Sequence, residues 1–280
     1  MRCKLIGIIL LILVGGALLL SGCTTSQQVS SSSGPEALPA TSAASQESLL
    51  VYSGAGLKTP MQEIGQAFTD KYGIGVQYTY AGSGTLISQM DLTKKGDVFI
   101  TGSTVEFKIA QDKGLALDYQ PVAYHVPVIA VQKANPKNIK TIQDFARPGL
   151  KVALGDTKAT AIGKAGVKIF GKYNLTEAVD ENVVTRTPTI NELNVIMNTG
   201  QADAALLTLD QINPEKIDAV SIPVEDNVVL IIPVGVTSFT TSPDSAQKFA
   251  DFVASDEGKA VFASHGFPSY PDTAYAGINP

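Results

Sequence analysis

Four stretches of this chain put glycine beside serine or threonine where an extended run gives way to helical spacing. They are Tyr52-Ser53-Gly54-Ala55-Gly56, Gly82-Ser83-Gly84, the run from Gly155-Asp156-Thr157 through Thr160-Ala161-Ile162-Gly163, and Thr187-Pro188-Thr189-Ile190-Asn191-Glu192. The chemistry such loops offer is anion binding without cations. The first turn of a helix carries backbone N–H groups with no internal partner, and the helix dipole favours negative charge there. Glycine lets an anion approach the backbone closely, and hydroxyls add donors. Each loop alone is equally a cap or a turn. Four in one chain, converging on one cleft, would hold a dianion with no lysine or arginine.

Such loops need strands that end and helices that begin at one edge of a sheet. From Ser48 onward the sequence alternates in that way. Residues 49–52, 75–80, 97–100, 151–154 and 204–207 read as strands. A helix is predicted from Thr59 as N-cap, with Pro60 in its first position, Gln62 closing a capping box, and Met61, Ile64 and Phe68 as its buried stripe. Further helices are predicted from Ser83 (Leu86, Ile87 and Met90 inward), over 105–113 to a stop at Gly114, over 161–170, over 190–199 to Gly200, and as a pair over 242–266. Thr189 and Glu192 are spaced as a capping box. The alternation indicates an α/β protein with mainly parallel sheets and flanking helices. Two long stretches, 121–132 with its apolar run from Val126 and the apolar 227–236, could cross between two lobes. That gives one lobe from 48–122 and 232–280, a second from 123–231, and a ligand cleft between them.

The N-terminus reads as an export signal. Met1-Arg2-Cys3-Lys4 is basic, 5–20 is almost wholly apolar, and Leu20-Ser21-Gly22-Cys23 resembles a lipobox. The expectation is a lipoprotein signal peptide over 1–22, lipidation at Cys23, and a flexible Ser/Thr-rich tether over 23–47. The body then lies outside the cytoplasm on a membrane anchor. Cys3 and Cys23 are the only cysteines, so thiol catalysis and thiolate metal sites are excluded from the mature body. A net charge of −5 with no basic stripe excludes nucleic acid as the partner.

With these residues in view, the chain resembles the periplasmic molybdate- and tungstate-binding proteins of ABC importers, which have the type II periplasmic-binding-protein fold. The similarity runs from about residue 48 to 267. It is carried by "VYSGAGLKTPMQEIGQAF", "YAGSGTLISQM", "GDVFITGS", "VALGDTKATAIGKAG", "NTGQADAALLT" and "FVASDEGKAVFASHGF". The resemblance implies a tetrahedral oxyanion, molybdate or tungstate, held by serine hydroxyls and backbone amides. It also implies an ABC permease as partner, a monomer, no cofactor and no catalysis. It assigns Ser83, with Gly84 beside it, to the second loop, the N–H groups near Ala161 and Ile162 to the third, and Ile190 to the fourth. Thr208 falls where bacterial members often carry tyrosine. Relatives usually have serine at the position of Gly56, so Ser53 Oγ or the N–H groups of Ala55 and Gly56, in the turn with Gly54, are expected to compensate. Ile190 in place of glutamate gives no support to the archaeal variant that adds carboxylates to the metal. The metal therefore enters as oxyanion, without direct side-chain coordination.

Three alternatives stay open. Sulfate is a bare dianion too, and cavity size alone separates it from molybdate. Phosphate carries a proton and needs a buried acceptor; Asp156 is the nearest carboxylate, and its simpler role is to tie down its own turn. Ferric ion would need paired tyrosines, and Tyr52, Tyr80, Tyr119 and Tyr124 include no adjacent pair. A hydrolase is disfavoured. Gly82-Ser83-Gly84 is not a nucleophile elbow, and the two histidines, His125 and His265, belong to the first crossing strand and a helix end.

Overall fold

A computed structural model describes residues 47–278. The expected signal peptide, Cys23 and the tether up to residue 46 lie outside the described residues.

The first half-chain builds strands β1 (Ser48–Gly54), β2 (Gly75–Ala81), β3 (Val98–Ile100) and β4 (Ala116–His125). Helices α1 (Lys58–Tyr72), α2 (Ser83–Thr93) and α3 (Thr104–Asp112) alternate with them. The chain then makes β5 (Pro127–Gln132), β6 (Val152–Gly155), α4 (Ala161–Gly171), α5 (Thr176–Asp180), β7 (Val183–Thr187), α6 (Ile190–Asn198), β8 (Ala204–Thr208) and β9 (Ile217–Ser221). It ends with β10 (Leu230–Thr237), α7 (Pro243–Ala254) and α8 (Asp256–Ser264).

These strands form two five-stranded sheets, ordered β2-β1-β3-β10-β4 and β7-β6-β8-β5-β9. Both are mixed, which corrects the expectation of mainly parallel sheets. β1 lies parallel to β2 and β3, whereas β10 runs antiparallel to β3 and β4. β6 lies parallel to β7 and β8, whereas β5 runs antiparallel to β8 and β9. The antiparallel members include the two long apolar runs. Each stays within one sheet, and the chain passes between sheets at Val126 and again before Leu230. The expected lobe limits at 122/123 and 231/232 shift accordingly, because His125 pairs with Leu230 and Tyr124 with Ile231 inside the first sheet.

Each sheet is covered on both faces. In the first, Met61, Ile64 and Phe68 of α1 meet Phe249 and Val253 of α7 and Phe262 of α8 over one face. The Phe68 and Phe249 rings pack edge to face, 4.9 Å between centroids. Leu86, Met90 and Phe107 cover the other face. In the second sheet, Ile162, Ile169 and Phe170 of α4 cover one face and Leu193 and Met197 of α6 the other. Helix α1 begins at Lys58 with Leu57 as its N-cap and no side-chain cap, so Thr59 does not cap it. A short 3-10 turn, Ala55–Leu57, carries the chain straight from β1 into α1 and takes the place of that cap. Thr160 and Thr189 do cap, accepting the N–H of Gly163 and Glu192.

Candidate functional site

The carboxyl ends of β1, β2, β3, β6, β7 and β8 meet helix or turn starts on the two sides of one cleft. A cavity of about 40 Å³ lies there. At ~10–15 Å³ per water on this measure, it takes roughly three waters or one compact ion. The first sheet contributes Gly54, Ala55, Gly56, Gly82, Ser83, Gly102 and His125, and the second Thr160, Ala161, Ile162, Ile190 and Thr208. Among the described residues, no carboxylate, lysine or arginine lines it.

Ser83 is buried in the first turn of α2, behind Gly82 as N-cap. Its Oγ accepts a 2.5 Å hydrogen bond from Thr101 Oγ1, so the Ser83 hydrogen is left to donate elsewhere. Ala161 and Ile162 open α4, where no intrahelical carbonyl reaches their N–H groups. Ile190 opens α6 in the same way. The Thr208 hydroxyl is buried at the end of β8 with no hydrogen-bond partner among the described residues. A buried polar atom without a partner points to something that fills it. Asp156 lies outside the lining. One of its oxygens accepts the N–H of Lys158 at 2.8 Å and of Ala159 at 2.7 Å. Those two bonds, that from Ala159 first, hold its carboxyl below the usual range. The acid is committed to its own turn.

The sheets also touch each other around the cavity. Gly84 N–H donates to Ala159 O at 3.0 Å. Asn191 Nδ2 donates to Ala55 O at 2.8 Å, and Gln211 Nε2 to Gly56 O at 3.4 Å. Glycine is required at this seam. A Cβ on Gly84 would stand 2.3 Å from Lys158 O, and one on Gly82 would stand 2.5 Å from Pro188 O. The site is thus a closed one, gripped from both halves.

Residues 49–268 match the family model described as bacterial extracellular solute-binding protein. This chain belongs to that family. Its relatives include the molybdate-binding protein ModA of Mycobacterium tuberculosis, 28% identical over 242 residues, which cover 83% of this chain and 89% of that protein. Solved structures of the same fold include the periplasmic molybdate-binding protein of Azotobacter vinelandii, with TM-score 0.65 and 17% identity over 78% of this chain and 98% of that one. The sulfate-binding protein SubI of Mycobacterium tuberculosis has TM-score 0.73 and 17% identity over 82% of this chain and 90% of that one. The relatives are binding proteins, and the two-lobed α/β architecture is theirs as well.

In this solute-binding protein, eight of the ten sequence-predicted residues line the cavity: Gly54, Ala55, Gly56, Ser83, Ala161, Ile162, Ile190 and Thr208. Two do not. Ser53 is fully buried under the loop and its Oγ donates to Gly54 O at 3.3 Å, so it cannot replace the missing serine. Gly84 spends its N–H on Ala159, as above. The first loop is left with the N–H groups of Ala55 and Gly56. A Cβ at position 56 would meet Ile190 Cγ2 at 2.7 Å, so a serine there requires the Ile190 side chain to shift. His125, which the sequence places in the first crossing strand, ends β4 and also lines the cavity. Its partner residue Gly102 follows β3 in "GDVFITGS", a fifth glycine–hydroxyl loop beyond the four read from the sequence.

Among the described residues, no tyrosine lines the cavity. Tyr52 bonds Thr93 at 3.3 Å, Tyr119 packs at a tilt against Phe107, and Tyr124 packs on Tyr270 and Tyr275. Burial holds the Tyr80 hydroxyl above its ordinary range, which opposes tyrosinate formation. Among the described residues, no three His, Cys, Asp or Glu side chains group as metal ligands.

An ion pair also spans the cleft. Lys164 Nζ of α4 lies 2.9 Å from Oε1 of Glu106 on α3, whose carboxylate is buried and also takes the Ser103 hydroxyl. Removing one member of a buried pair strands the other charge, a cost of several kcal/mol when both are fully buried. Lys164 is 27% exposed, so the cost here is smaller. Opening the cleft would return Glu106 to water, so the penalty falls on the closed form. Lys164→Met is expected to weaken ligand binding by about tenfold, or ~1.4 kcal/mol, as read by titration calorimetry.

Proposed function

We propose that this protein captures a tetrahedral oxyanion, molybdate or tungstate first and sulfate second, and delivers it to an ABC permease. The observation that carries the reading is the donor set. The small closed cavity offers helix-start amides from both sheets, the Ser83 hydroxyl and the unpartnered Thr208 hydroxyl, with no carboxylate or fixed cation. Molybdate, tungstate and sulfate are fully deprotonated near neutral pH and need donors only. The molybdate-binding relatives support the choice of ligand. Capture proceeds by closure of two lobes, 48–125 with 230–278 against 127–221, over the anion. Cys23 is the proposed lipid attachment, holding the body outside the cytoplasm beside its permease, and mass spectrometry of the mature N-terminus reads it directly.

The test is calorimetry and thermal melting with molybdate, tungstate, sulfate and phosphate. One anion should bind one to one. At 100 times its dissociation constant it should stabilise the fold by ~2.7 kcal/mol. No shift with molybdate, tungstate or sulfate would sink the reading.

A further inference from the structure

His125 lines the cavity and carries a nitrogen that the donor set above does not use. The residue is 6% exposed, and Nε2 is buried without a hydrogen-bond partner among the described residues. Nδ1 lies 3.1 Å from Gly102 O. A carbonyl oxygen only accepts, so Nδ1 carries a hydrogen. In a neutral ring Nε2 is then a bare lone pair. Oδ1 of Asp210 lies 3.9 Å from that lone pair, and a dianion in the cavity that His125 lines would bring a second negative group beside the ring. Both encounters are repulsive. A proton on Nε2 makes both attractive.

The surroundings supply no other partner for that proton. Across the strand ladder stands Leu230, and the Phe267 ring lies 5.2 Å from the imidazole. Asp210 also accepts from Gln211 Nε2 at 2.7 Å. Glu106 and Lys164 neutralise each other.

We propose that His125 is a specificity-determining ligand contact that takes up one proton as the oxyanion enters and donates Nε2–H to it. The proposal rests on the oxyanion reading. It makes capture proton-coupled and selects fully deprotonated dianions over hydrogen-bearing ones. The sign follows from linkage. The protonated ring is the binding form, so affinity is lost as pH rises, by at most about tenfold per pH unit for one proton. A His125–Asp210 pair with a purely structural role would hold the same charge with and without ligand.

The experiment is titration calorimetry of the purified protein with sodium molybdate, from about pH 6 to about pH 9, across the range where histidines titrate. Buffers of different ionisation enthalpy report protons taken up. The expected result is uptake of up to one proton and an affinity that falls towards alkaline pH. His125→Gln keeps a neutral donor and should bind with no uptake and a flat profile. If that variant does not fold, the buffer series on the unaltered protein decides alone. Molybdate binding with no proton uptake across the range overturns the proposal while leaving the oxyanion reading intact. Tighter binding of phosphate than of molybdate, again without uptake, overturns it by showing Nε2 as an acceptor. Failure to bind molybdate, tungstate or sulfate at all removes the oxyanion reading and this proposal together.

Discussion

Gly84→Ala should nearly abolish ligand capture while leaving the unliganded fold as stable as before. The three nearest neighbours of the added Cβ are all backbone atoms of Lys158 and Ala159 across the cleft, the nearest at 2.3 Å. Nothing in its own lobe crowds it more closely. The clash therefore falls on the closed state alone. Alanine near the start of α2 is, if anything, favourable to the helix, by about 0.5–1 kcal/mol. An affinity loss of about 100-fold or more, ~2.7 kcal/mol, is expected with an unchanged or slightly raised melting temperature. Small-angle scattering should show that ligand no longer contracts the molecule. Unchanged affinity in calorimetry would mean that the closed geometry is not the binding form.

Ser83→Ala should cost about 1–3 kcal/mol of binding, or roughly 5- to 150-fold, through a different route. The anion loses a hydroxyl donor inside a closed cavity, where no water replaces it. Thr101 Oγ1, fully buried behind it, loses its acceptor as well. Thr101→Val is expected to cost less, because the Ser83 hydroxyl remains. Comparison of the two affinities separates direct contact from support. Equal losses would place Ser83 behind the site and not in it.

Much of this arrangement is legible in the order of residues along the chain. Strand-to-helix junctions carry local signals, glycine and hydroxyl residues between two hydrophobic periods, and Thr189 caps as its spacing suggests. Strand direction carries none. An apolar run such as Leu230–Thr237 reports burial on both faces, whichever way it points, and so the sheets read as parallel when they are mixed. Strands β7 and β9 leave no clear pattern because edge strands show mixed exposure over only a few residues. The glycines of Gly82-Ser83-Gly84 read as room for an approaching anion. Their closest neighbours are instead carbonyls of the opposite lobe. The physical reason, absence of a Cβ, is the same, but the partner is distant in sequence and invisible to it. His125 is hidden for a related reason. Its meaning depends on which strand end it occupies and on Gly102, 23 residues away.

The most direct measurement is a crystal structure grown with molybdate, with anomalous diffraction collected at the molybdenum edge. One peak is expected in the cavity, within hydrogen-bond reach of Ser83 Oγ, Thr208 Oγ1 and the Ala161 and Ile162 amides. A cavity without a peak, or molybdenum held elsewhere by carboxylates or tyrosines, would contradict it.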